Sequence, residues 1–156
     1  MKTRTIALTV ALCFLAAAAC LASDLNMGTW KLNEAKSKFP PGATKNQRVV
    51  YQAVGDQVKV TIEGTTADGK SLHIEWTGKY DGKFYPLTGD PNNDERAYKQ
   101  PINNAHTMDI TSKKGGKVVG TASVVVAFDG KSRTVTSAGS NAKGEKVTTV
   151  AVYDKE

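Results

Sequence analysis

The chain has 156 residues, a formal net charge of +6 and 2 cysteines. This length suits one domain with its own hydrophobic core rather than several domains. Both cysteines, Cys13 and Cys20, fall within the first 22 residues, so no disulfide is expected in the remainder. The charge is modest and spread out, whereas nucleic-acid binding needs a continuous basic stripe, so no nucleic-acid partner is expected.

Residues 1–22 are predicted to be a secretory signal peptide. Lys2 and Arg4 precede an apolar run from Ile6 to Ala19, and small residues lead to a predicted cleavage after Ala22. The run covers about 14 residues, short of the roughly 20 that a membrane helix needs, and no second run of that length follows. We therefore expect a secreted or periplasmic domain at 23–156, with no integral membrane span.

Cys20 offers an alternative to free secretion. The sequence Ala17-Ala18-Ala19-Cys20 resembles a lipoprotein box, although Ala17 stands where leucine is usual. The alternative location is therefore the cell envelope, with a lipid anchor on Cys20. An uncleaved hydrophobic N-terminus is the third interpretation.

A turn signal recurs along the rest of the chain, as Asp68-Gly69-Lys70, Asp81-Gly82-Lys83 and Asp129-Gly130-Lys131. Asp-Gly is typical of two-residue hairpin turns, because it tolerates positive φ angles. Each copy lies between segments rich in Val, Ile, Thr and aromatic residues, which predicts an antiparallel meander. Successive turns of a meander alternate between its two ends, so the lysines are expected on both rims.

About ten short strands are predicted, and no helix beyond a single turn. Val58, Val60 and Ile62 alternate with polar residues, which is the clearest period-two signal in the chain. The longest connections are Glu34–Lys45, read as a loop or one helical turn, and Thr88–Asp94. The predicted strands are Gly28–Asn33, Gln47–Ala53, Val58–Glu63, Leu72–Thr77, Lys83–Leu87, Glu95–Gln100, the segment around Met108 and Ile110, Val118–Phe128, Arg133–Ser137 and Lys146–Asp154.

Short connections and the cost of exposed sheet edges favour a closed barrel. We therefore predict an all-β fold, an up-and-down meander of about 8–10 strands closed into a lipocalin-like barrel. Gly120, Ala122 and Val124 share one face of the longest strand. Small residues there let a barrel bend or leave room inside it, and tight packing against a large aromatic side chain is the alternative.

Gly28-Thr29-Trp30 resembles the Gly-x-Trp opening of lipocalins and other calycin barrels. The resemblance implies that Trp30 closes one end of the barrel, with Arg133 as the candidate basic partner of its ring. The chain also resembles a group of small secreted bacterial proteins without an assigned activity. The residues that carry this second resemblance are Gly28–Asn33, Lys79–Lys83, Thr88–Pro91 and Val150–Asp154.

No catalytic or metal-binding residue is predicted, and no cofactor is expected. After cleavage, only His73 and His106 could serve as bases, and no nucleophile motif accompanies them. His73, Glu75 and His106 could bind zinc only if their strands met. Asp90-x-Asn92-x-Asp94 has the first ligand positions of a calcium loop but lacks the later glycine and glutamate, so an Asx turn is the alternative.

A barrel of this size can hold one small apolar molecule, which is the leading functional hypothesis. The alternatives are an envelope structural or interaction protein with a filled barrel, and, third, an uncharacterised enzyme. The protein is expected to be a monomer. The residues expected to line the ligand site, each equally explained as plain core, are Trp30, Tyr51, Ile74, Trp76, Phe84, Met108, Val124 and Phe128.

Overall fold

The computed structural model describes residues 24–140 and 144–156. Ten antiparallel strands follow one another around a closed barrel, and β1 pairs with both β2 and β10. The predicted all-β up-and-down barrel is thereby confirmed. The strands are β1 Gly28–Leu32, β2 Lys45–Val54, β3 Gln57–Thr65, β4 Ser71–Gly78, β5 Tyr85–Thr88, β6 Glu95–Lys99, β7 Thr107–Lys114, β8 Lys117–Val126, β9 Ser132–Ser140 and β10 Lys146–Lys155.

Alternation of apolar and polar residues builds the wall, as the sequence predicted. In β3, Val58, Val60 and Ile62 are buried, and in β4, Leu72 and Trp76 are buried while their neighbours are more exposed. Cross-strand pairs such as Val60–Trp76 place these side chains on one face. That face is the barrel interior, because successive side chains of a strand point to opposite sides of the sheet.

The Asp-Gly-Lys turns differ from the predicted two-residue hairpins. They lie within the connections 66–70, 79–84 and 127–131, and the glycines Gly69, Gly82 and Gly130 have φ angles of +82°, +78° and +69°. Within the described residues, no residue other than glycine has a positive φ. The two-residue turn expected for Asp-Gly needs a positive φ at both positions, so these copies form wider turns with only the glycine left-handed.

Strand direction gives the barrel two ends. We call one the open end; it carries the connections 33–44, 66–70, 89–94 and 115–116, together with the β9–β10 connection. The first of these holds a 3₁₀ turn at Glu34–Lys36, which agrees with the predicted single helical turn. We call the other the closed end; it carries residues 24–27, the connections 55–56, 79–84, 100–106 and 127–131, and Glu156. The lysine-bearing turns fall on both ends, as expected.

Candidate functional site

The barrel interior is filled by large side chains. The Trp76 ring lies 4.4 Å from the Tyr98 ring and 5.7 Å from the Tyr85 ring, measured between centroids. Trp76 Nε1 donates a hydrogen bond to the Arg96 carbonyl at 2.9 Å. These contacts join β4 to β5 and β6, so aromatic rings occupy the part of the barrel interior that these three strands enclose.

Six of the eight residues expected to line a ligand site are core residues. None of them is more than 4% exposed, and all six belong to one buried apolar cluster. They pack against one another rather than around a large space. These residues are Trp30, Tyr51, Ile74, Trp76, Met108 and Val124.

The expectation that Phe84 and Phe128 face the interior is wrong. Phe128 is 96% exposed, because β8 ends at Val126 and the turn at 127–131 carries Phe128 out of the wall. Its ring contacts the His106 ring at an interplanar angle of 52°, with centroids 4.9 Å apart. Phe84 is half-buried, and the Lys113 ammonium lies 3.6 Å from its ring centre. It lies outside the buried cluster that forms the core.

The lead-in at 24–27 covers the closed end. Trp30 is fully buried, and its Nε1 donates to the Asn26 carbonyl at 2.8 Å. Leu25 and Met27 pack against the core from the same side. Trp30 therefore lies beneath this lead-in, where a ligand would otherwise enter from this end.

Arg133 occupies the interior beside Trp30. Its side chain is 3% exposed, and its guanidinium carbon lies 4.7 Å from the Trp30 ring, 4.9 Å from the Tyr51 ring and 5.0 Å from the Tyr153 ring. Arg133 is thus in contact with the tryptophan that it was expected to partner. Its Nε and Nη1 are buried without a hydrogen-bond partner among the described residues.

Burial changes the acidity of the tyrosines in this core. It raises the pKa of Tyr98 and that of Tyr153 to about 12 each, and it also raises the pKa of Tyr80. The cause is loss of hydration, which disfavours the phenolate. The Tyr153 hydroxyl donates to the Asn46 carbonyl at 3.0 Å. These phenols are therefore neutral core groups at physiological pH.

The open end holds a small recess of about 120 Å³ between the two long loops. Leu72 and Ile74 supply its apolar wall, and Thr44, Asn46, Thr66 and the loop segment 90–93 supply the rest. Ligand pockets for small molecules typically measure about 300–1,000 Å³. The recess is therefore too small for a fatty acid or a comparable apolar molecule.

Small side chains line the interior face of β8 and β9 near this end. Gly120, Ala122, Ser137 and Gly139 are paired along β8 and β9 and are half-buried. They share the interior face with Val124, which is 1% exposed deeper in the barrel. Exposure along this face therefore decreases from Gly120 towards Val124, and neither interpretation of the small residues is decided by it.

The carboxylates of the acidic loop at 90–94 have partners within the loop and on neighbouring elements, although Asp94 Oδ1 is buried without a hydrogen-bond partner among the described residues. The Asp90 carboxylate accepts hydrogen bonds from the Asn92 backbone at 2.9 Å and from Asn93 Nδ2 at 2.7 Å. Arg96 Nη2 lies 3.5 Å from the same carboxylate, and Asp94 accepts from the Gly115 backbone at 2.8 Å. This is the Asx turn that was the alternative to a calcium loop.

The two histidines lie apart and face different partners. His73 is exposed on β4 and lies 3.7 Å from Glu75, whose pKa is lowered by a hydrogen bond from Lys59. His106 Nδ1 lies 3.0 Å from the Val126 carbonyl at the closed end. No cluster of three or more His, Cys, Asp or Glu side chains suited to a metal ion exists within residues 24–140 and 144–156.

A larger recess lies outside the barrel. It measures about 470 Å³ and runs between β1 and the C-terminal residues, lined mainly by charged side chains such as Lys31, Glu34 and Asp154. Asp154 accepts a hydrogen bond from Asn33 Nδ2 at 2.7 Å and lies 3.7 Å from Lys36 Nζ. This outer groove has no connection with the residues that were expected to bind a ligand.

One exposed residue was not anticipated. Ile102, in the connection 100–106, has a relative exposure of 102%. In the sequence, Ile102 is an isolated apolar residue between Pro101 and Asn103 in a turn-rich segment, and this pattern could have predicted its exposure. Ile102 and Phe128 belong to neighbouring connections at the closed end.

Comparison with known proteins adds no relative. No protein-family model matches the chain, and no curated protein matches it significantly. The structure contains no helix long and apolar enough to span a bilayer in the part of the chain that it describes.

Proposed function

We propose that this protein is an exported envelope protein that acts through its outer surface, as an interaction or structural module with a filled barrel. The observation that supports this most is the size of the interior space. The recess between the long loops measures about 120 Å³, and six of the eight residues expected to surround a ligand belong to the buried core instead. A ligand of lipocalin type would have to displace buried aromatic rings.

The cost of such displacement supports the same proposal. Trp76 and Tyr98 are each about 1% exposed and lie in ring contact. Removing a large aromatic side chain from a core costs about 3–5 kcal/mol. A small apolar ligand would need to offset this cost before showing any net affinity.

Binding of a small molecule at the open end is the second candidate. Leu72 and Ile74 give the recess there an apolar wall, while Asn92 and Asn93 could supply polar contacts. This site would take a molecule of only a few heavy atoms. Neither candidate function uses His73 as a catalytic residue; its side chain is exposed beside Glu75.

A tryptophan fluorescence titration in lipid-free solution tests the proposal. Oleate and retinol are added to the full chain, whose tryptophans Trp30 and Trp76 both lie in the core. We expect no saturable quenching. Saturable quenching by either probe would contradict the filled barrel. The second candidate predicts instead that only a probe of a few heavy atoms binds, and that Leu72→Phe, which would fill the recess, abolishes its binding.

A further inference from the structure

Two apolar side chains at the closed end are almost completely exposed. Ile102 has a relative exposure of 102% and Phe128 one of 96%. Isolated exposed apolar residues need no explanation, but two at the tips of neighbouring connections mark a surface. Neither caps the core, because the lead-in at 24–27 already covers it.

These connections form one continuous rim with the entry of the chain. The Phe128 ring stacks on His106, which joins the connections 127–131 and 100–106. Lys155 joins the other side, because its backbone N–H donates to the Lys131 carbonyl at 2.8 Å and its Nζ donates to the Leu25 carbonyl at 3.2 Å. We call residues 24–27, 100–106 and 127–131 the Phe128 rim.

The sequence before this rim is the apolar segment described above. Asp24, which belongs to the Phe128 rim, is the residue to which 1–23 are joined, and that segment holds the apolar run that ends at Ala19 and the candidate anchor Cys20. From Cys20 to Asp24 an extended chain spans at most roughly 14 Å. Any form of the protein held in lipid by Cys20 or by the apolar run therefore has this rim near the lipid surface.

We propose that the Phe128 rim is a lipid-facing surface, with Ile102 and Phe128 inserted at the membrane interface. The inference rests on the proposed envelope location, in the form of the protein that keeps Cys20 or the apolar run, and it specifies which face meets the membrane. Two exposed apolar side chains at the tethered end would add a second contact beside the N-terminal anchor.

Single tryptophan reporters test this orientation. Ile102→Trp and Phe128→Trp are each made in the full chain, and Val118→Trp is the matched control, since Val118 is 57% exposed beside the turn 115–116 at the open end. Each variant is mixed with phosphatidylcholine–phosphatidylglycerol vesicles whose acyl chains are brominated. The wild-type signal, from buried Trp30 and Trp76, is subtracted.

We expect blue-shifted and quenched emission from Ile102→Trp and Phe128→Trp, and neither effect from Val118→Trp. Equal quenching of all three reporters would overturn the proposal, because the rim would then have no preference for lipid. Absence of quenching from the two rim reporters would overturn it as well. A concentration-dependent blue shift without vesicles would assign the rim to contact with a second copy of this chain, which also contradicts the proposal. None of these outcomes depends on the interior titration.

Discussion

Arg133 allows a sharp test of what holds the closed end together. Its guanidinium is buried among three aromatic rings, and two of its nitrogens have no hydrogen-bond partner among the described residues. This arrangement makes both favourable and unfavourable contributions to the free energy of unfolding. Each desolvated cation–π contact contributes up to about 2 kcal/mol, so the rings of Trp30, Tyr51 and Tyr153 together contribute up to about 6 kcal/mol. Desolvation of the charge costs several kcal/mol, and each unpaired buried N–H adds about 1–3 kcal/mol.

These terms nearly cancel, so the charge itself adds little net stability. We expect Arg133→Met, which keeps an unbranched stem but removes the charge and its donors, to change the free energy of unfolding by less than about 1.5 kcal/mol. We expect Arg133→Ala to lower it by about 3 kcal/mol or more, because the space between three rings is left empty. Packing of the stem, rather than the charge, then dominates.

Urea unfolding followed by tryptophan fluorescence measures both changes, since Trp30 lies in contact with Arg133. Arg133→Lys is the control, because it keeps a charge but lacks the planar group that stacks on the rings. If Arg133→Met is as unstable as Arg133→Ala while Arg133→Lys is close to wild type, the positive charge is the main stabiliser and the reasoning is refuted.

Two further predictions concern the loop glycines and the buried phenols. Gly89→Ala should lower the free energy of unfolding by about 3 kcal/mol or more, measured by thermal melting, because the added Cβ would lie 1.9 Å from the His73 carbonyl oxygen at a φ of +81°. Gly69→Ala, at a similar positive φ but with open space around it, should lower it by only about 1 kcal/mol. Equal losses of stability in the two variants would contradict a clash at Gly89. Unfolding free energy should fall as the pH rises from about 10 to about 12, since an unfolded tyrosine loses its proton near pH 10 and the pKa of Tyr98 and of Tyr153 is raised to about 12 in the fold. The loss should be on the order of 3 kcal/mol for each tyrosine; tyrosinate absorbance that appears near pH 10 for all tyrosines before any unfolding would contradict it.

Local patterns predicted the wall of the barrel because each pattern has a local physical cause. Val58, Val60 and Ile62 alternate since a strand presents successive side chains to opposite faces, and the structure buries all three. The same alternation wrongly predicted that Phe128 lies on the interior face. There the Gly130 backbone N–H donates to the Ala127 carbonyl at 2.9 Å, so the turn begins before the sequence alternation ends.

The filled interior could not be predicted in this way. Alternation tells which side chains point inward, but not whether those from different strands meet. The packing of Trp76 on β4 against Tyr98 on β6 depends on the short β5 between them and on the curvature of the closed sheet. A hollow and a filled barrel can therefore share one alternation pattern, and only the three-dimensional packing of their side chains separates them.

The filled interior also changes how the two ends are interpreted. In a hollow barrel, exposed apolar residues at a rim could guide a ligand towards a cavity. Here the end that carries Ile102 and Phe128 is covered by the lead-in, and Trp30 lies fully buried beneath it. The two exposed side chains can then serve neither the core nor a cavity behind them. The proposal that the Phe128 rim contacts lipid starts from this position, together with the covalent link of the apolar N-terminal segment to Asp24 at the same rim.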